Sequence, residues 1–424
     1  MLFVGVDVGT SGCRAVAVDE EGEVRGRAHS PLPAPRRKGD GVEQDPEVWW
    51  RVLTAVLRRL SSTIEPATVC ALAVDGTSGT LLLSDRRGWP ITAALMYNDN
   101  RAQVEARRIA EVAPADTAAR GSASALARLL WLLARVEAGK DACALHQADW
   151  LAGRLCGRFG FSDSNNSLKL GYDAVRRCWP AWLDRLGVPR HLLPRVVTPG
   201  TVVGSLAAGV AADVGLPAVV RVVAGTTDST AAVLATGVSR PGDAVTSLGS
   251  TLVLKVLSEV PVFCSRYGVY SQPFGDLWLA GGASNSGGAV LRQFFTDEQM
   301  EVMSRRLNPH RRLCLEYYPL PATGERFPVS DPGLRPQLEP RPKDDLRFFQ
   351  GMLEGMARIE KRGYRLLAEL GAPYPTGIRS VGGGARNRAW EEIRRQMLRV
   401  PMFRPAHTEA AYGAALLARR GVGA

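Results

Sequence analysis

Leu2-Phe-Val-Gly-Val-Asp-Val-Gly-Thr-Ser-Gly-Cys-Arg-Ala-Val-Ala-Val18 is an apolar run, a turn of small residues with one aspartate at its mouth, and a second apolar run. It reads as a strand over 2–6, a turn over 7–12 and a partner strand over 13–18. The pattern returns in Gly242-Asp-Ala-Val-Thr-Ser-Leu-Gly-Ser-Thr-Leu-Val-Leu-Lys-Val-Leu257, again strand, Gly/Ser/Thr turn, strand. A chain that writes this hairpin twice is expected to hold two domains of the same construction. The length, 424 residues, independently favours two cores over one. The boundary is expected near Thr236 to Pro241, giving domains over 1–236 and 237–424.

Between the two hairpins lies Val222-Val-Ala-Gly-Thr-Thr-Asp-Ser-Thr-Ala-Ala232. Apolar β-formers end in a small-residue turn, and a small-residue helix follows. This places Asp228 at the end of a buried strand, as Asp7 is placed at the end of the first. Each aspartate alone is equally well a turn residue. Two of them, each beside Gly, Thr and Ser, suggest chemistry on a phosphate between the domains.

The rest of the chain supports an α/β architecture with mixed sheets. Asp45-Pro46-Glu47 caps a helix whose apolar face is Val48, Val52, Leu53, Val56, Leu57 and Leu60. Val69 to Val74 is a strand ending in Asp75-Gly-Thr-Ser-Gly-Thr80. Residues 125–195 are expected to be mainly helical. The polar run 161–167 is a loop that faces either a ligand or solvent. Residues 319–342 read as an irregular excursion, 343–370 as a helix, 377–387 as strand, glycine turn and helix start, and 410–420 as an alanine-rich helix.

Composition excludes several classes. The net charge is +11, with 53 basic residues of which six are Lys. The arginines are spread along the chain with no nucleic-acid motif, so attraction for small anions is expected rather than nucleic-acid binding. Seven scattered cysteines without a CxxC pair argue against a structural zinc site and a disulfide framework. No 18-residue apolar run and no leader pattern are present, so a cytoplasmic protein without membrane contact is expected. The chain has neither GxxxxGK[ST] nor a GxGxxG after a strand. It offers instead two hairpin turns, Gly9 to Gly12 and Gly249 to Thr251, whose small residues let backbone amides approach an anion.

In order, the chain carries Asp-x-Gly-Thr at 7, Asp-Gly-Thr-Ser at 75, Gly-x-x-Asp at 225, Gly-Ser-Thr at 249 and Gly-Gly-Gly-Ala at 382. With Val42-Glu-Gln-Asp-Pro46 followed by Trp49-Trp50, and Met96-Tyr-Asn-Asp-Asn-Arg101, this set resembles the FGGY family of carbohydrate kinases. Tyr97 stands where the family has Trp. The resemblance implies two actin-like (ribonuclease H-like) α/β domains around a central cleft, as in the sugar kinase, heat-shock ATPase and actin superfamily. It implies ATP and Mg²⁺, a small sugar as substrate, no nucleic-acid or membrane partner, and a monomer or homodimer. Cleft closure on sugar and ATP is expected.

Residue by residue, the resemblance makes Asp228 the general base that accepts the proton of the sugar hydroxyl. Asp7 is the second catalytic carboxylate, holding or orienting Mg²⁺, with Asp228 the other metal-facing carboxylate. Thr10, Ser11, Gly249, Ser250 and Thr251 contact phosphates. Gly383, Gly384, Ala385 and Asn387 hold the adenosine. Asp7, Ser78, Asp99 and Asp228 face the sugar, Asp99 being equally well an ion-pair partner of Arg101. The chain is shorter than usual members, chiefly between about 260 and 345. Its turn after Val74 has neither the Arg-Glu pair of glycerol kinases nor the Met-His pair of typical xylulokinases. Asp-Gly-Thr-Ser there resembles short D-ribulose kinases, so D-ribulose is the expected substrate and D-xylulose or another ketose or polyol the alternative. A non-catalytic nucleotide and sugar sensor and an actin-like assembly protein are the other classes. Asp228 speaks against the first, and the motifs at 42–50 and 96–101 against the second.

Overall fold

The computed structural model describes residues 1–121 and 124–424. The chain forms two compact units, residues 1–235 together with 407–424, and residues 236–406.

The first unit is organised on a six-stranded sheet. Its strands are β1 (Leu2–Val8), β2 (Gly12–Val18), β3 (Val24–Pro31), β4 (Val69–Gly76), β5 (Val202–Ser205) and β6 (Arg221–Val223), in the order β5-β6-β4-β1-β2-β3. β1, β4 and β6 run parallel, while β2 and β3 continue from β1 as an antiparallel meander. Every residue of β1 is buried, which explains why its sequence is an apolar run rather than an alternation. Helix α1 (Pro46–Ser61) begins where Asp45 accepts a hydrogen bond from Glu47 N. It packs Trp49, Leu53, Val56, Leu57 and Leu60 into the same core as β1 and β4. Helices α2 (Ala125–Leu133) and α3 (Gln147–Cys156) follow, and α4 (Asp228–Ala235) ends the main part of the unit.

The second unit repeats this plan. Strands β7 (Asp243–Leu248), β8 (Leu252–Ser258), β9 (Tyr270–Phe274), β10 (Leu277–Ser284), β11 (Gly377–Val381) and β12 (Met402–Phe403) lie in the order β9-β10-β8-β7-β11-β12. β7 pairs antiparallel with β8 and parallel with β11, as β1 pairs with β2 and β4. The echo between residues 2–18 and 242–257 is therefore an echo of sheet position. Helix α5 (Asp297–Arg306) precedes an irregular stretch, and then come α6 (Asp345–Glu369) and α7 (Arg388–Leu398). α6 buries Phe348, Phe349, Met352, Leu353, Met356 and Ile359 at helical spacing in a separate core. A buried polar bracket joins it to two strands. Glu360 receives two hydrogen bonds from Arg394 at 2.6 and 2.7 Å and one from Thr246 at 2.6 Å, and Arg394 also donates to Ser380 Oγ.

Three expectations change. The last helix, α8 (Ala410–Gly421), was expected with the second domain but packs in the first unit. The contact depends on small residues. A Cβ on Gly5 would lie 1.9 Å from Ala411 O and 2.2 Å from Ala415 N, so only glycine lets α8 sit on β1. The stretch 125–195 is not mainly helical, because strands Ala142–His146 and Phe161–Asp163 interrupt it. Residues 161–168 are all buried, so the run 161–167 is no solvated loop. Asp163 satisfies its backbone by accepting from Asn165 N and Asn166 N. Among the described residues no helix is long and apolar enough to cross a membrane, and all seven cysteines are free thiols.

Candidate active site

The ends of three neighbouring strands bring three carboxylates together in the first unit. β1 and β4 run parallel with Asp7 opposite Asp75 in register. β6 lies on the far side of β4, and the segment leaving it bridges Gly76 through Thr227. That approach is close. A Cβ on Gly225 would stand 1.8 Å from Val74 O, so glycine is required for the strand to pass and deliver Asp228 at the start of α4.

The three differ in environment. Asp228 is half-buried and accepts a hydrogen bond from Ser229 N at 2.7 Å. Asp7 is buried, and Arg14 lies 3.6 Å from its Oδ2. Asp75 has no exposed surface, and among the described residues no N–H or O–H donor meets either of its oxygens. Two carboxyls can share a hydrogen bond only if one of them keeps its proton, and the Asp7–Asp75 bond lowers Asp7 and raises Asp75. Burial, and next the charge of Asp7, hold the Asp75 carboxyl well above the usual range, so it is the donor to Asp7. Burial also pushes Asp7 up to about 6, with the Asp75 hydrogen bond and Arg14 pulling against it and Asp228 adding to it. At neutral pH the pair therefore carries one negative charge, on Asp7.

Asp75 was not singled out from sequence as a site residue. Its signal was present, since Asp75 closes an apolar strand and opens a Gly-Thr-Ser turn, as Asp7 does. What sequence lacked was the register that sets the two face to face.

The turn after Asp75 is held from several sides. Gln147 Oε1 accepts from Thr77 N at 3.0 Å and Thr77 Oγ1 at 2.9 Å. Thr77 and Thr80 share a hydroxyl hydrogen bond of 2.6 Å, and Tyr97 N donates to Thr80 Oγ1. Ser78 is half-buried, and Lys169 Nζ donates to its carbonyl at 3.4 Å. Arg128, completely buried, donates to the carbonyls of Gly79, Tyr97 and Asp99. Burial pushes its guanidinium down to about 10, opposed by the charge of Asp99, so it stays cationic at neutral pH. Asn165 Nδ2 donates to Thr226 Oγ1 at 2.9 Å, tying the buried 161–167 segment to the turn that carries Asp228. Lys169, Gln147, Arg128 and Asn165 lay in stretches read only as helix or loop, and no local pattern marked them.

Asp99 is placed otherwise than a sugar contact requires. Its carboxylate accepts from Val42 N at 2.7 Å and from Arg101 N, Nε and Nη2 at 2.7–3.2 Å. Arg101 also pairs with Glu43 at 2.8 Å. Asp99 is a fully buried bracket between residues 42 and 101, the ion-pair alternative of the sequence reading.

The turn at Thr10 and Ser11 is closed by Gly9 N donating to Gly12 O at 3.0 Å, and Ser11 is exposed. In the second unit Ser250 is exposed at the tip of the β7–β8 hairpin. Gly288 N and Ala289 N donate to the carbonyls of Gly249 and Ser250, which braces the tip. Gly383, Gly384 and Ala385 form a helical turn after β11, and Asn387 caps α7 through Trp390 N. Asn387 Nδ2 donates to Ser304 on α5 at 2.8 Å. A cavity of about 590 Å³ beside this turn is lined by Ser380, Ala385, Arg388, Glu391, Phe403 and Arg404 among others.

The chain is similar to known proteins. The chain matches the model of the FGGY family of carbohydrate kinases, N-terminal domain, over residues 2–235, and that of the C-terminal domain over residues 244–422. A xylulose kinase of Staphylococcus epidermidis is 24% identical over 445 residues, covering 100% of this chain and 88% of the relative. An L-fuculokinase of Salmonella typhi is 27% identical over 471 residues, covering 100% and 93%. The solved structure of a xyloylose kinase from Brucella ovis superposes with a TM-score of 0.90 at 26% identity, covering 100% of this chain and 91% of the other.

Proposed function

This chain belongs to the FGGY family of carbohydrate kinases, with its actin-like two-domain fold, and from that premise we propose that it transfers the γ-phosphoryl group of ATP to a ketopentose, D-ribulose, giving D-ribulose 5-phosphate. The observation that carries the substrate is the turn at 75–80. It reads Asp-Gly-Thr-Ser-Gly-Thr, with Thr77 fixed by Gln147 and Ser78 left half-buried beside Lys169. Small hydroxyl side chains there suit a polar sugar and fit neither the glycerol kinase nor the typical xylulokinase pair.

In this reading Asp228 accepts the proton from the attacking hydroxyl. The transition state of phosphoryl transfer is loose, so the base acts late and needs no raised basicity. Thr10, Ser11 and the 249–251 tip supply amides and hydroxyls to phosphate oxygens, and positioning with charge stabilisation does most of the work. Gly383, Gly384, Ala385 and Asn387 receive the adenosine. Asp75, as a neutral hydrogen-bond donor, keeps Asp7 oriented and singly charged.

Magnesium fits the residues present. Asp7 is a carboxylate beside Asp75, whose oxygens meet no donor among the described residues, and Arg14 lies 3.6 Å from it. Among the described residues no group of three or more His, Cys, Asp and Glu is set to hold a metal. Magnesium is usually held by one or two carboxylates together with water and phosphate oxygens. Asp7 would hold it, with Asp228 facing it, and it would supply charge neutralisation at the transferred phosphoryl group.

D-xylulose is the second reading, favoured by the xylulose kinase relatives. Coupled ADP release with D-ribulose, D-xylulose, other ketoses, polyols and a no-sugar control separates the two. Stimulation by D-ribulose above all other sugars is expected. Stimulation by another sugar with none by D-ribulose overturns the substrate.

A further inference from the structure

The second unit holds a cavity of about 750 Å³ that none of the kinase motifs lines. One face of α6 forms its floor. Arg358, Lys361, Arg362 and Arg365 project there at the three- and four-residue spacing that stacks side chains along a helix. Arg312, from the irregular stretch before α6, closes one side.

These cations crowd one another. The Lys361 ammonium is held below the usual lysine range by burial first, and then by the charges of Arg365, Arg399 and Arg312. Arg358 is engaged, donating to the carbonyls of Leu315 and Tyr317 and lying 3.9 Å from Glu316. Among the described residues the side chains of Arg312, Lys361, Arg362 and Arg365 make no hydrogen bond or ion pair. The cavity also has three carboxylates. Glu316 faces Arg358, Glu354 accepts from Leu313 N and Gln350 Nε2, and Glu369 stands in no ion pair. Five cations therefore face three carboxylates, two of which are already occupied, and Lys361 also feels the charge of Arg399.

Arg312, Arg362 and Arg365 are exposed and Lys361 is half-buried, so the cluster is open to solvent, and an anion joining these like charges relieves their repulsion. The volume falls within the range of small-molecule sites and is too large for one phosphate. Guanidinium forks match phosphate oxygens two at a time, and three of the four unpartnered cations are arginines. The cavity is also separate from the adenosine turn. That turn precedes the N-terminal end of α7, whereas the cavity meets α7 at Met397, in its last turn. Asn387 and Met397 are ten helical steps apart, about 15 Å at 1.5 Å per residue.

We infer that this cavity is a binding site for a small polyanion carrying at least two phosphate groups, distinct from the nucleotide site. Calorimetry on the full chain tests this, with a non-hydrolysable ATP analogue and Mg²⁺ at saturation. Tripolyphosphate is the probe and inorganic phosphate the comparison. Wild-type protein is expected to bind one tripolyphosphate, and phosphate at least about tenfold more weakly. Lys361→Gln/Arg365→Gln is expected to weaken tripolyphosphate at least about tenfold while sugar-dependent ADP release stays within about twofold. Arg312→Ala, outside the helix, should weaken it in the same direction and decides the matter if the double variant loses its circular dichroism spectrum. No binding by the wild type, equal binding of phosphate, or unchanged binding by the folded variants overturns the inference.

Discussion

Asp7 and Asp75 stand opposite each other on neighbouring parallel strands, and near neutral pH they hold one proton between them, on Asp75. The single charge left on Asp7 is what a cation or a phosphoryl group meets at this strand end.

Because Asp75 acts as a neutral donor, an amide can replace it. Asp75→Asn is expected to fold and keep turnover within about tenfold of wild type, since its Nδ2 can donate to Asp7. Asp75→Ala leaves a buried carboxylate without its donor and should lose about 2 kcal/mol of stability and more of the activity. Thermal melts and ADP release check both. Equal behaviour of the two variants counts against a donor role.

Asp7 sets a pH dependence. Its folded value of about 6 lies above the ordinary 3.8. Between those values the folded state binds more protons than the unfolded, so stability falls as pH rises through that window. About two units correspond to ~3 kcal/mol, lost in full above pH 6. Asp7→Asn should therefore melt higher than wild type at pH 7.5 and lack activity. Wild-type affinity for Mg²⁺ should fall as pH drops below 6, where Asp7 takes up its proton. Magnesium titrations of activity from pH 5 to 8 read this directly, and a flat dependence removes Asp7 from the metal site.

Asp228→Asn keeps shape and removes the proton acceptor. Turnover is expected to fall by roughly 10² or more, with the sugar KM within a few fold. Full sugar-dependent activity in this variant would exclude Asp228 as the base.

Ser78→Ala tests the substrate turn. Loss of one hydroxyl contact should raise the sugar KM about fivefold to tenfold and leave the KM for ATP unchanged. An unchanged sugar KM would move recognition elsewhere, with Lys169 the next residue to vary.

Glu360→Gln tests the bracket of the second unit. It leaves Arg394 buried without its counter-charge, which costs about 3 kcal/mol. Thr246→Val removes the hydrogen bond to the Glu360 carboxylate and the one shared with Tyr364 Oη but leaves the ion pair, and should cost about 2 kcal/mol. Denaturant melts rank the two, and a milder effect of Glu360→Gln would show that the charge pair is not what holds α6 to β7.

The sequence by itself determined the parts that local order and pattern can encode. Two apolar-turn-apolar hairpins foretold two sheets of one plan, because a strand buried on both faces must be apolar throughout. Asp7 and Asp228 stood out because each closes such a strand beside small residues. Asp45-Pro46 marked the start of α1 because capping is a contact between near neighbours. What only tertiary structure decided are relations between residues distant in the chain. Register set Asp75 against Asp7, and complete burial raised the Asp75 carboxyl. Close approach through Gly5 carried α8 back to the first sheet, although its alanines were legible as helix. Asp99 proved to be held by Val42 and Arg101, Arg128 gathered three carbonyls from two turns, and Arg394 reached Glu360. Burial and pairing at these positions depend on which surfaces the folded sheets bring together, and a linear pattern carries no record of that.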